Sequence, residues 1–155
     1  MKNAHLFILP VILLCTASFT ARAQNQDTAV IDKFISKQES REGGYEYKDA
    51  RKEIAGDLNR DGVPDLAVLY TLEGADGGNN YAQLLAVFVR AKGRLVPVTQ
   101  TVVGAKGIRS VELQSIRNNV IFFKTLNYGP KDPACCPTKK GTTRFVLANR
   151  RLKER

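Results

Sequence analysis

"LAVLYTLEGADGGNNYAQLLAVFVRAKGRLVPVTQTVV", residues 66–103, decides the fold. Leu66, Val68, Tyr70 and Leu72 fall on one side of a period-two pattern, and Ala67 and Leu69 on the other side are apolar as well. A strand apolar on both faces is expected to be central and covered from both sides. The glycine-rich residues 74–80 connect it to a second long strand, "YAQLLAVFVRA", and Lys92-Gly93 supplies a tight turn into a third. Pro97 has no backbone N–H to give to a ladder, so the third strand should lie at an edge or carry a bulge.

Downstream, "IRSVELQSI" alternates with Val111 and Leu113 inward, and Asn118-Asn119 suits a two-residue hairpin turn into "VIFFKTLNY". A long loop follows, and "TTRFVLANRRLK" closes the chain as one more strand or a hairpin. Upstream, "DTAVIDKFISKQES" puts Val30, Ile31, Phe34 and Ile35 on one helical face. Asp27 or Thr28 is the expected cap, Asp32 suits the first turn, and the glycines of "REGGYEY" end the helix. Short sequential connections favour pairing between neighbours. The fold class is therefore α+β: an N-terminal helix followed by a curved antiparallel β-meander of five to seven strands. Residues 24–50 form the helix and linker and 51–155 the β-rich part, together one globular domain over 24–155.

The first 23 residues read differently. Lys2 precedes the apolar "LFILPVILLC", and "ARA" at 21–23 places small residues where a signal peptidase cuts. This predicts a signal peptide over 1–23, cleavage after Ala23 and a periplasmic or secreted protein with no membrane span after cleavage. A retained anchor is the alternative, although the apolar run is short for a span. Leu14 before Cys15 is too large for a lipobox. The net charge of +9 falls by two when Lys2 and Arg22 leave. The remaining positive surface suits an anionic envelope polymer or lipid head group, or simply keeps the protein soluble. No basic-aromatic motif points to nucleic acid. The only histidine, His5, leaves with the signal peptide, and histidine-dependent triads and zinc sites leave with it.

Just before the central strand lies "GDLNRDGVPDLAV", residues 56–68. With Asp57 as position 1, Asn59 is 3, Asp61 is 5, Gly62 is 6, Val63 is 7 and Asp65 is 9. Alternate side chains of a tight loop face a common centre, glycine at 6 allows the bend, and the carbonyl at 7 adds an oxygen. Calcium takes six to eight such ligands, whereas magnesium demands a smaller octahedron and keeps its waters. The competing reading is a turn held by Asx hydrogen bonds with exposed carboxylates. The motif occurs once, which argues against a repeated propeller blade.

"DLNRDGVPDLAV" resembles the calcium loop of integrin-type FG-GAP repeats, in which the same spacing lies between two strands. The resemblance implies calcium held by Asp57, Asn59, Asp61 and Asp65 with the carbonyl of Val63. It departs from the EF-hand, because position 12 is Val68 rather than glutamate.

"YGPKDPACCPTKKG" holds Cys135 and Cys136, the only cysteines beyond Cys15. Three readings compete: a vicinal disulfide clamping a loop made rigid by Pro133 and Pro137, a reduced pair with redox or soft-metal chemistry, and intermolecular bridging. The aspartate loop, the β-rich middle and the DP-x-CCP segment together resemble a group of uncharacterised bacterial exported proteins and lipoproteins, over roughly residues 50–150. That resemblance brings no activity. The sequence thus points to a non-enzymatic, calcium-stabilised binding domain for an envelope or extracellular ligand, with the Pro133–Pro137 loop as candidate surface and the 74–80 loop beside it. A thiol/disulfide or soft-metal factor built on Cys135 and Cys136 is the alternative.

Overall fold

The structure is a computed structural model; it describes residues 16–155, with side chains described from Asn25 onward except that of Asp76. Most of the signal-peptide reading, residues 1–15, lies outside the described residues. Helix α1 spans Thr16–Glu42. No proline or glycine interrupts that stretch, so the helix starts earlier than expected, and Asp27 and Thr28 lie inside it instead of capping it. Asp27 pairs with Arg90 and Asp32 with Arg51, two ion pairs that fasten α1 to the sheet. The apolar face is the expected one: Ile31 and Ile35 are buried, and Val30 and Phe34 pack beside them. Gly43 ends the helix at φ 72°, and its N–H bonds the Glu39 carbonyl.

Nine strands follow: β1 (Tyr45–Glu46), β2 (Lys52–Gly56), β3 (Asp65–Glu73), β4 (Tyr81–Ala91), β5 (Arg94–Ala105), β6 (Arg109–Arg117), β7 (Val120–Asn127), β8 (Lys139–Ala148) and β9 (Arg151–Glu154). All pairings are antiparallel. β1 and β2 pair in tandem with one strand, β3, and from β3 to β9 each strand pairs with the next. The α+β meander is the expected one. The count exceeds five to seven because short β1 and β2 extend the sheet and the C-terminus is a hairpin, β8–β9.

β3 is covered on both faces, as its composition requires. Val68, Tyr70 and Leu72 join Leu84, Ala86 and Phe88 beneath α1, where Phe34 meets Phe88 edge-on at 5.2 Å. Ala67 and Leu69 face the second core with Leu85, Val87 and Val103. Val111, Leu113, Ile121, Phe123 and Phe145 of β6–β8 close that core from the other side. The sheet therefore folds over on itself, with β6–β8 laid against the inner face of β3–β5.

The fold-over happens at β5–β6, where one residue pair, Ala105↔Arg109, joins the strands. Gln83 of β4 bridges the gap that opens there. Its side-chain amide donates to the Val111 carbonyl (3.0 Å) and accepts from the Val111 N–H (2.8 Å), doing for β6 what a neighbouring strand would do. A Cβ on Gly104 would sit 2.7 Å from the Gln83 Oε1 and 2.9 Å from the Arg109 carbonyl, so only glycine fits. β5 has two irregularities against β4, at Val98 beside Pro97 and at Val103, so Pro97 marks a bulge as expected.

The meander sorts its connections by end. At one end lie the aspartate loop and three two-residue turns, Lys92-Gly93, Asn118-Asn119 and Asn149-Arg150, all at positive φ. At the other lie the 74–80 connection, the 106–108 turn and the loop over 128–138. No helix among the described residues is long and apolar enough to cross a membrane.

Candidate functional site

The aspartate loop is built from its own backbone. Asp57 accepts from the N–H of Arg60 (2.6 Å) and Gly62 (3.1 Å). Asn59 accepts from the Asp61 N–H, and Asp61 accepts from the Val63 N–H and the Asn59 amide. Arg60 and Gly62 take positive φ (69° and 79°) to make these turns. Asn119 of the neighbouring hairpin ties the loop down, donating to the Asp57 carbonyl at 2.7 Å and accepting from the Arg60 Nε at 3.0 Å.

Asp65 behaves differently. It is 1% exposed, and its two oxygens accept from the N–H of Leu58 (3.0 Å) and Arg90 (2.9 Å). Arg90 in turn forks onto Asp27 of α1 and bonds the Pro64 carbonyl, so the loop, β4 and the helix are locked through one aspartate and one arginine. The structure thus leaves Asn59 and Asp61 exposed, Asp57 half-buried beside them, and turns Asp65 inward as a brace. The Val63 side chain is exposed between them. Among the described residues no three His, Cys, Asp or Glu side chains group closely enough to hold a metal. The loop's donor set includes an amide and a carbonyl besides the carboxylates. All are hard oxygens, the kind calcium takes. A carboxylate offers about four lone-pair sites, and Asp57 and Asp61 each spend two on the bonds above.

The opposite end carries the cysteines. Cys135 and Cys136 are exposed, their sulfurs are within bonding distance, and their Cα atoms are 3.8 Å apart. Hydrogen bonds hold the loop alongside the bridge. Asp132 accepts from the N–H of Gly129 (2.7 Å) and Thr138 (2.8 Å) and from the Thr138 hydroxyl, closing the loop at its base. These bonds hold the Asp132 carboxyl below its ordinary pKa, Gly129 contributing most. The Cys136 N–H bonds the Pro133 carbonyl, and Tyr128 donates to the Ala134 carbonyl at 2.8 Å. Pro133 is exposed and Pro137 half-buried at the loop's return.

Tyr128 also accepts from the Gly107 N–H, while Lys106 reaches across to the Asn79 carbonyl. The 106–108 turn therefore sits between the cysteine loop and the 74–80 loop. Burial, and the nearby Tyr128, push the Tyr81 phenol up. Ile108 (64% exposed) and Tyr45 (60%) stand at this end. Below the cysteine loop, a cavity of about 610 Å³ opens among Ser110, Glu112, Lys124, Thr125, Leu126 and Lys140.

The two motifs do not meet. The eight residues of β7 separate the Asn119 turn from the cysteine loop, a span of about 25 Å at strand rise. Spacing could not disclose Asn119, Asp132 or Tyr128 as organisers of these loops. The one available cue was Asp132 before Pro133, a dipeptide that starts turns. No known protein family, curated protein or solved structure is matched by this chain.

Proposed function

We propose that this protein is an exported, non-enzymatic binding domain that calcium stabilises at one end and that receives an envelope or extracellular ligand at the other. The observation that carries this reading is the division between the ends. The end with three tight turns leaves one extended loop, and its carboxylates, half-buried Asp57 and exposed Asp61, have no Lys or Arg ion pair among the described residues although the chain carries net charge +9. Backbone amides and the Asn59 side-chain amide offset their charge, and a cation would do so better. Asp57, Asn59, Asp61 and the Val63 carbonyl would hold it, with Asp65 beneath them. The other end gathers three longer connections, exposed Ile108 and Tyr45, and a cavity within the size range of small-ligand sites, roughly 300–1,000 Å³.

The test is calorimetric titration of calcium into chelator-treated protein, paired with thermal melting. At about a hundredfold excess over Kd an ion bound only by the folded state adds about 2.7 kcal/mol, a rise on the order of 10 °C. Asp61→Ala should abolish both signals while leaving the apo melt nearly unchanged. Absence of heat and of any melting shift with the intact protein refutes the calcium reading.

A second reading is favoured by one observation: the exposed Cys135–Cys136 pair lies on a loop held closed by Asp132. Opening the bridge would leave the loop in place with two adjacent thiols, suited to exchange or soft-metal capture. Thiol titration under native conditions decides it. Rapid reduction by a mild dithiol supports this chemistry, and a bridge that resists reduction until the protein unfolds supports a clamp.

A further inference from the structure

We infer that the outer face of β6–β9 is a docking surface for an acidic polysaccharide, a chain of sugars that carry carboxylates. The inference deepens the binding-domain reading, on which it rests, by naming the class of ligand, and it is independent of calcium.

α1 covers the outer face of β3 and β4, whereas the outer face of β6–β9 bears no helix among the described residues. Val111, Leu113, Ile121, Phe123 and Phe145 turn into the core, so the residues alternating with them point out. On β7–β9 many of these are cations. The register makes Lys140 and Lys124, Lys124 and Arg144, and Arg144 and Lys153 successive diagonal neighbours across the strands, about 7–8 Å apart. Arg151 continues the row, two residues before Lys153. All five are exposed, and none forms an ion pair among the described residues. Arg117 adds a sixth: its guanidinium lies over the Phe122 ring at 5.0 Å. Stacking fixes the plane of that fork and leaves its N–H edge for an anion. Among the described residues Glu112 is the one carboxylate that the strands turn to this face, because Glu154 turns to the seam with Arg109 and Thr143.

These features select the occupant. β7, which carries Phe122 and Lys124 at the centre of the face, is paired on both sides and has no backbone group to offer a peptide strand. A bilayer finds little to receive: Val120, Phe122 and Val146 are half-buried, with Arg117 over Phe122. Leu126, 39% exposed, lines the cavity of about 610 Å³. That cavity holds the deciding contrast, because Lys124 and Lys140 meet Glu112 and Ser110 around it. The cations draw a carboxylate, while Glu112 repels a plain polyanion and accepts hydrogen bonds from hydroxyls. A sugar acid offers both groups, and the apolar side of its ring suits Leu126. Further carboxylates along the polymer would follow the cations to Arg144 and Lys153.

The probe is a fluorescent oligogalacturonate, titrated into the mature protein by anisotropy in chelator, beside dextran and polyglutamate. The galacturonate should bind, dextran should not, and polyglutamate should bind about tenfold more weakly or worse. Amide chemical shifts should move at 122–126 and 140–144. Lys124→Glu/Arg144→Glu should weaken the galacturonate about tenfold or more, with circular dichroism unchanged. Lys33→Glu/Lys37→Glu, the same change of charge on α1, should leave its affinity within about twofold. Glu112→Ala should narrow the preference for galacturonate over polyglutamate. Absence of galacturonate binding, equal binding of polyglutamate, an unchanged preference in Glu112→Ala, or an equal loss in the helix variant overturns the proposal. Capture by anionic phospholipid vesicles without galacturonate binding overturns it in favour of a lipid surface. Shifts confined to 106–108 and 128–138 overturn the docking face while keeping the binding domain. Calcium is titrated separately, without polymer, so a failed ion site leaves these results untouched.

Discussion

Asp65 and Asp61 belong to one motif but have opposite roles. Asp65 is sealed in and bonds two backbone N–H groups, and removing it strands both. Asp65→Ala should therefore lower unfolding free energy by about 3 kcal/mol, read from the urea midpoint in the absence of calcium. Asp61→Ala, at the exposed rim, should cost well under about 1 kcal/mol in the same assay. Equal costs would mean that Asp65 is not the brace its contacts describe. Gln83 makes a similar case. Gln83→Leu leaves the Val111 N–H and carbonyl without their partner and should cost about 2 kcal/mol by the same measurement.

Among the elements, the seam between β5–β6 and the C-terminal strand depends on charge. Arg109 bonds the Val103 carbonyl and pairs with Glu154, which also accepts from Thr143. Arg109 first, and Thr143 after it, hold the Glu154 carboxyl below its ordinary 4.5. A carboxyl lowered in the folded state contributes stability that is complete above its unfolded pKa and is lost as pH falls through the folded one. Glu154→Gln should thus weaken the protein at pH 7 and make less difference at pH 3, in paired urea titrations. The cysteine loop should respond differently. A bridge between adjacent residues constrains little of the unfolded chain. Cys135→Ser/Cys136→Ser should therefore move the melting temperature by about 2 °C or less, while hydrogen exchange quickens at Cys136 and its neighbours alone. The element order was legible because apolar alternation in β3, β4, β6 and β7 reports which residues face a core. Asn118-Asn119 and Lys92-Gly93 announce their turns by residue type. Asn149-Arg150 does not, because an arginine at φ 60° is held there by the pairing of β8 with β9 and not by its own preference.

At the scale of the molecule, the aspartate spacing located the loop but not the orientation of its fourth carboxylate. That orientation depends on where β4 places the Arg90 N–H, a contact 25 residues away. Likewise, the separation of the two loops follows from the meander, which sends each connection to the end opposite the last. The single pair Ala105↔Arg109 has a consequence for the chain's divisibility. A cut at Gly107 would sever almost no ladder. It would give one fragment with Leu69, Leu85 and Val87 uncovered and another with Leu113, Phe123 and Phe145 uncovered. Neither half can hide that surface alone, and each carries the complement of the other. Co-expressed, the two pieces should find one another and rebuild the whole, which makes this small domain a natural split reporter.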